Sequence, residues 1–257
     1  MSAGDLTAER IGSALRTTRY GRSLDVRAVT GSTNDDARGA AERGAADGHV
    51  VVADAQTSGR GRHGHAWSSP PGTDLYFSIV ARPGLAVRDL PPLTLAAGVA
   101  VAETVDAHAG TRALVKWPND VWIGGRKVAG ILVETATRDG ATGPVVIGVG
   151  LDVNRHEWPE ELRDVAISLA SVWGEPLDRA AVLADCLLAI ETWVDRLVAS
   201  GPAPVIDAVE RRLALRDERV RVDDAEGELL GLAPSGAVRI QTAAGVRELA
   251  AGTLAPA

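Results

Sequence analysis

The densest chemistry in this 257-residue chain lies in residues 56–67, QTSGRGRHGHAW, where Arg60 and Arg62 alternate with Gly59, Gly61 and Gly64. Glycines let a backbone approach an anion closely, and each guanidinium offers a two-point fork that matches carboxylate or phosphate oxygens. The glycines also match a G-x-G-x-x-G dinucleotide turn letter for letter. Such a turn needs a helix beginning at the third glycine and an acidic residue about 20 positions further on. Here Gly64 is followed by HAWSSPPG, whose prolines and glycine prevent a useful helix, and then by the strand-like run Asp74–Val80. The segment is therefore an anion-binding loop between two strands or a solvated basic loop. His63 and His65 are too few for a metal site, and no helical pairing of histidine with carboxylate accompanies them.

Two further stretches hold lysines. KWPND at 116–120 follows a strand-like segment, and GRKVAGILVE at 125–134 comes soon after it. Ser32-Thr33-Asn34 stands at a helix start whose first turn carries Asp35 and Asp36, and GVGLDVN occupies 148–154. Taken singly, the hydroxyls of Ser32 and Thr33 read as helix caps, Gln56 as an exposed loop residue and Lys127 as a strand-edge lysine. Taken together and in this order, across most of the first 155 residues, the five stretches resemble the biotin–protein ligases. These enzymes activate biotin with ATP and attach it to a lysine of a carboxylase carrier domain.

The resemblance implies a role for each residue. Biotin joins a neutral ureido ring to an apolar thiophane and a carboxylate, so its ring needs matched donors and acceptors in a dry pocket. Ser32, Thr33, Asn34 and Gln56 would supply them. Gly59, Arg60, Gly61 and Arg62 would close over the ligand, with Gly130 allowing close backbone approach. Lys127 would stand between the biotin carboxylate and the α-phosphate, where two anions must meet; with Arg62 it forms the expected catalytic pair. Arg60, Arg62, Trp67, Lys116, Asn119 and Asp152 would hold ATP and the adenylate, Trp67 lying against adenine. Trp117, Pro118 and Asp120 are expected to shape their loop. Asp152 departs from the family, which has asparagine there; it is a candidate magnesium ligand, and no other protein ligand is assigned. ATP and Mg2+ are the implied co-substrate and metal, biotin is a substrate, and no permanently bound cofactor is expected.

The resemblance also implies an α+β fold: a mixed, largely antiparallel sheet with helices, like that of class II synthetases, and a small C-terminal SH3-like β-barrel. The expected boundaries are a catalytic domain at 1–215 and a β domain at 216–257. A lipoate or octanoate ligase shares that fold and is the nearest alternative; a biotin-sensing repressor is the alternative from another class. The repressor is disfavoured because only about thirty residues precede the first motif, too few for a helix-turn-helix unit. The formal net charge of −7 argues against a general nucleic-acid binder. The expected partner is a biotin carboxyl carrier protein, with no nucleic acid and no membrane, and the resemblance is compatible with a homodimer.

The elements that must position these residues follow from periodicity and punctuation. Asp5 could cap a short helix bearing Ile11 and Leu15, and strands are expected at Leu24–Val29, His49–Ala53 and Asp74–Val80. A helix is expected from Leu93 to His108 with Pro91-Pro92 at its entrance, then strands at Ala113–Lys116, Arg126–Glu134 and Val145–Val153. A second long helix runs from Leu177 to Val198. Four short strands follow, at Arg219–Val222, Glu228–Leu232, Ala237–Gln241 and Val246–Leu249. Hydrophobic residues make up 46% of the chain, enough for a substantial core. The single cysteine excludes an internal disulfide, and no window reaches the about 18–20 apolar residues of a membrane span. With no signal-like run in the first thirty residues, a cytoplasmic location is expected.

Overall fold

A computed structural model describes residues 6–85, 90–138 and 141–257. Its centre is a seven-stranded sheet in the order β1-β2-β3-β7-β6-β5-β4. These strands are β1 (Ser23–Thr30), β2 (His49–Gln56), β3 (Leu75–Ala81), β4 (Leu114–Lys116), β5 (Asp120–Ile123), β6 (Arg126–Arg138) and β7 (Ala141–Leu151). Only β1 and β2 pair in parallel; the other neighbours are antiparallel. The α+β expectation, with a largely antiparallel sheet, is met.

The continuous apolar runs of β2 and β3 are explained by helices on both faces of the sheet. Val50, Val52, Phe77 and Ile79 belong to the main core, which also takes in helices α3 (Leu90–Ala109) and α5 (Arg179–Ser200). Val51, Val80 and Val146 point the other way, onto Ala37 and Ala41 of α2 (Thr33–Glu42). Strand alternation thus builds two cores from one run of valines. Short helices α1 (Ala8–Ala14), α4 (Leu169–Trp173) and α6 (Ala203–Glu210) complete this part. Asp5 lies outside the described residues; the cap of α1 is Thr7, whose side chain accepts from the Arg10 N–H.

The chain then enters a five-stranded antiparallel sheet, ordered β11-β10-β9-β8-β12. Its strands are β8 (Arg219–Val222), β9 (Ala225–Leu232), β10 (Val238–Thr242), β11 (Gly245–Leu249) and β12 (Leu254–Pro256). The sequence reading lacked β5, β12, α4 and α6, all of them short. It also set the long helix three residues late: Pro91 and Pro92 lie inside the first turn of α3, where their missing N–H groups cost nothing. Among the described residues, no helix is long and apolar enough to cross a membrane.

One polar clasp ties the N-terminal segment to this framework. The buried carboxylate of Glu191 on α5 accepts the backbone N–H groups of Thr18 (2.8 Å), Arg19 (2.9 Å) and Tyr20 (2.8 Å). Burial raises its pKa, but these donors outweigh burial and hold it below the ordinary glutamate range. Such a carboxylate contributes stability that is present above the unfolded pKa and is lost as pH falls through the folded one. Replacing Glu191 by Ala is expected to cost about 2–4 kcal/mol at neutral pH, because three N–H groups lose their acceptor. In urea titrations, the gap between parent and variant should shrink as the pH is lowered into the acid range.

Candidate active site

The antiparallel register builds the floor of the site. On the face that carries α2, Ser78, Gly148 and Leu132 stand side by side, and in the next row lie Tyr76, Gly150, Gly130 and Asp120. Gly130 and Gly150 are direct partners, so the sheet has a hollow there with no side chain. The indole of Trp67 lies in it. A Cβ on Gly150 would fall 2.4 Å from Trp67 Cε2, and one on Gly130 would fall 3.0 Å from Cζ3. Gly148 is equally constrained, since a Cβ there would meet Asn34 Oδ1 at 2.0 Å. The Trp67 Nε1–H is buried without a hydrogen-bond partner.

The α2 end of the hollow is lined by neutral polar side chains, with the Glu134 carboxylate bonded behind Asn34. Ser32 is the N-cap of α2, yet its side chain makes no capping bond. The Thr33 N–H donates to Gln56 Oε1 (2.9 Å), and Gln56 Nε2 donates to Ser69 Oγ (3.0 Å). The Ser78 hydroxyl donates to Asn34 Oδ1 (2.6 Å), and Asn34 Nδ2 donates to Glu134 Oε2 (2.7 Å). Gln56, read from sequence as a loop residue when taken alone, is the last residue of β2 and is tied at both ends of its amide.

The opposite side is cationic. Lys127 Nζ sits 5.0 Å from the centroid of the Trp67 ring and 2.7 Å from Asp120 Oδ1. Residues 59–67 form a closed loop: Gly61 N donates to His65 O (2.7 Å), Trp67 N donates to Gly59 O (2.9 Å), and Arg60 bridges to Ala66. Arg62–Gly64 form a single 3-10 turn, with His63 at φ 54. The loop joins β2 to β3 with no helix after Gly64, which excludes a dinucleotide turn. Arg60 grips Asp35 with both terminal nitrogens, at 2.5 and 2.7 Å. Arg62 Nη1 donates to Gly252 O (3.2 Å) and, at longer range, to Asn119 Oδ1 (3.4 Å). Burial lowers the pKa of Arg62, while Asp120 and Asp223 draw it back up.

KWPND forms the wall between β4 and β5. Trp117 is buried, with its Nε1 donating to Gly236 O (3.0 Å), and the Trp117–Pro118 peptide is cis. Asn119 is locked to Ile131 by two hydrogen bonds, its N donor being Nδ2 (3.0 Å) and its carbonyl accepting the Ile131 N–H (2.9 Å). Lys116 lies half-buried, 4.9 Å from the Trp122 ring centroid, and burial lowers its pKa.

One cavity of 280 Å³ gathers Ser32, Thr33, Asn34, Gln56, Arg60, Gly61, Arg62, Trp67, Lys116, Asn119, Lys127 and Gly130. Asp120, Gly148, Gly150, Thr253 and Leu254 also line it and were not among the sequence candidates for ligand contact. Asp120, expected only to shape its loop, is the partner of Lys127. The spacing of Gly148 and Gly150 was a usable signal, because alternate residues of a strand share a face; Thr253 and Leu254 carried none.

Two candidates fall elsewhere. Gly59 is buried outside the cavity lining, where a Cβ would meet Trp67 O at 2.6 Å, Ser69 Oγ at 2.7 Å and Gln56 Nε2 at 2.9 Å. Asp152 is 3% exposed and faces the buried Asp74, which accepts the Val153 N–H (3.0 Å) and the Tyr76 hydroxyl (3.0 Å). Burial, then Asp74, push the Asp152 carboxyl well above its usual range, against the pull of Arg155 and Lys127. A carboxyl in that setting favours its protonated form, and the structure does not bring it to the cavity wall as a nucleotide or magnesium ligand.

Residues 26–152 match the model of the biotin/lipoate A/B protein ligase family. Over 253 residues, 96% of this chain and 78% of the relative, the chain is 35% identical to the bifunctional ligase/repressor BirA of Bacillus spizizenii. It belongs to this ligase family. A biotin–[acetyl-CoA-carboxylase] ligase of Mycobacterium tuberculosis is 37% identical over 222 residues, covering 82% of this chain and 79% of that one. Among solved structures, the biotin protein ligase from Aquifex aeolicus in complex with biotin and ATP superposes with a TM-score of 0.83 at 30% identity, covering 92% of this chain and all of that one. The chain is thus an enzyme of the biotin protein ligase group, with the corresponding fold.

In this ligase the Asp74–Asp152 pair predicts a pH dependence of its own. An acid whose pKa is raised by folding contributes stability below its unfolded pKa that is lost as pH rises through the folded value. Thermal melting of the parent should therefore weaken as the pH rises above the ordinary aspartate range. Asp152→Asn should flatten that decline and melt higher at the alkaline end.

Proposed function

We propose that the enzyme activates biotin as biotinyl-5′-AMP and transfers the biotinyl group to a lysine of a biotin carboxyl carrier protein. The observation that carries this reading is the division of one cavity between the neutral polar side chains Ser32, Thr33, Asn34 and Gln56 and the cations Lys127 and Arg62, with the Trp67 indole in the same hollow. Biotin has the same division, a neutral ureido ring at one end and a carboxylate at the other. The reading assigns the ring to Ser32, Thr33, Asn34 and Gln56, whose fixed hydrogen bonds limit which group fits without leaving a polar atom unmatched. It places the carboxylate and the α-phosphate between Lys127 and Arg62.

In the first step a carboxylate oxygen attacks the α-phosphorus and pyrophosphate leaves. Lys127 and Arg62 lower the repulsion between the two anions and stabilise charge on the phosphoryl oxygens in the transition state. Trp67 offers a face for adenine, and its unpaired Nε1–H is a donor in want of an acceptor. In the second step the neutral amine of the acceptor lysine attacks the acyl carbon, the acyl–phosphate bond breaks, and AMP leaves with the bonding pair. The arginine loop shuts out water, which would otherwise hydrolyse the anhydride.

Magnesium would come with ATP, neutralising the triphosphate. Asn119 Oδ1 and Asp120 are the nearby oxygens fit to join it, and among the described residues there is no cluster of three or more metal-ligating side chains. Residues 1–215 would form the catalytic domain and 216–257 a small β domain that adds one edge of the cavity.

Incubation with biotin, ATP and Mg2+ should yield biotinyl-5′-AMP by mass spectrometry; its absence from folded protein would sink the proposal. Lys127→Ala should slow its formation by about 10²–10³-fold, the usual effect of removing one preorganised charge from an anionic transition state. Arg62→Gly should still form the anhydride but release it about tenfold faster or more, measured as free biotinyl-5′-AMP in the filtrate. Calorimetry with lipoate separates the nearest alternative, and it should show no binding where biotin binds.

A further inference from the structure

Arg62 reaches out of its own loop to the second sheet, where the carbonyl of Gly252 accepts from Nη1 (3.2 Å). The next two residues, Thr253 and Leu254, continue from that carbonyl into the cavity wall. Gly252 is buried with φ +132, and a Cβ there would fall 2.7 Å from Asp223 Oδ2 and 2.8 Å from Val222 Cγ1. Asp223 sits in the two-residue turn between β8 and β9 with a left-handed backbone, φ 51. Its Oδ1 accepts the Thr253 N–H (3.1 Å). The direction of the Gly252 carbonyl is therefore fixed from behind by one carboxylate, which also attracts the Arg62 guanidinium.

We infer that Asp223 is a positioning residue for the ligase reaction: by holding the Gly252–Thr253 turn, it sets where Arg62 is received and how tightly the arginine loop closes over the adenylate. The inference rests on the adenylating function proposed above. Asp223 touches no ligand itself. It acts through a hydrogen bond to one backbone group and a carbonyl offered to Arg62, so its effect on retention is expected to depend on Arg62 being present. An aspartate that only stabilised the β8–β9 hairpin would not depend on Arg62 in this way.

The test is a double-mutant cycle on the full chain, reading the dissociation rate of chemically prepared biotinyl-5′-AMP by stopped-flow tryptophan fluorescence. Asp223→Ala should speed dissociation about fivefold or more in the parent and change it by less than about twofold in an Arg62→Ala background. Asp223→Asn, which keeps an acceptor for the Thr253 N–H, should stay within about twofold of the parent. Equal acceleration in both backgrounds, or parental retention in Asp223→Ala, overturns the inference. Thermal melting of each variant establishes that it is folded; should Asp223→Ala not fold, Gly252→Ala presses on the same turn from the other side and carries the same expectation. A parent that does not bind the anhydride overturns the proposed function and this inference with it, an outcome distinct from a parent that binds and a variant that holds on equally well.

Discussion

The arrangement of the whole site depends on the absence of side chains at three points of one sheet face. Gly130 and Gly150 are cross-strand partners, and Gly148 lies two residues away on the same side. Their bare backbone lets the Trp67 indole and the Asn34 amide lie directly on the sheet, closer than any Cβ would allow. Depth for a ligand is then created by what stands around the hollow: α2 on one side, the arginine loop above, KWPND and Lys127 on the other. A single methyl at Gly150 would overlap the ring, and with the ring would move the face against which Lys127 rests.

A second constraint is electrostatic. Three cations of the cavity have internal partners, Arg60 in Asp35, Lys127 in Asp120 and Arg62 in the Gly252 carbonyl, while Lys116 lies against the Trp122 ring. In an acidic chain this keeps mutually repelling side chains gathered in one place. It also means that an anionic ligand enters by exchange, replacing internal carboxylates as partners. The Arg60–Asp35 contact is the weaker one to exchange, because solvent screens it at Asp35; the Asp120 partner of Lys127 is more buried. At the α2 end the bonds that join Thr33 to Gln56, Ser78 to Asn34 and Asn34 to Glu134 fix the directions of the donors and acceptors and leave only particular positions open.

Much of this was legible from sequence where a local rule had no competitor. The valine run of β2, the long helices and the turn-separated strands after Arg216 were all readable, because burial and punctuation agree there. The arginine loop was recognised as a strand-to-strand connection from the prolines and glycine that follow it and the strand-like run Asp74–Val80 beyond them. What escaped was information held in pairing. Asp120 was read as a loop-shaping residue of KWPND, since β5 was not foreseen, and only its place beside β6 brings it to Lys127. Gly59 was read with its neighbours as a ligand-facing glycine, whereas its close contacts are with Trp67 O and Ser69 Oγ on the inner side of the loop. Asp152 was read as a departure from the family motif and a candidate magnesium ligand, but the buried Asp74 carboxyl near it changes the chemistry that its own carboxyl can offer.

The cavity wall draws on residues as far apart as Ser32 and Leu254. The order of synthesis therefore matters. A nascent chain presents the polar end, the arginine loop and the lysines long before the segment that receives Arg62 has left the ribosome. Until then the loop has a floor but no latch, and a molecule activated within it would be open to water. Placing one wall of the pocket at 252–254 leaves Arg62 without the Gly252 carbonyl until that segment has been made.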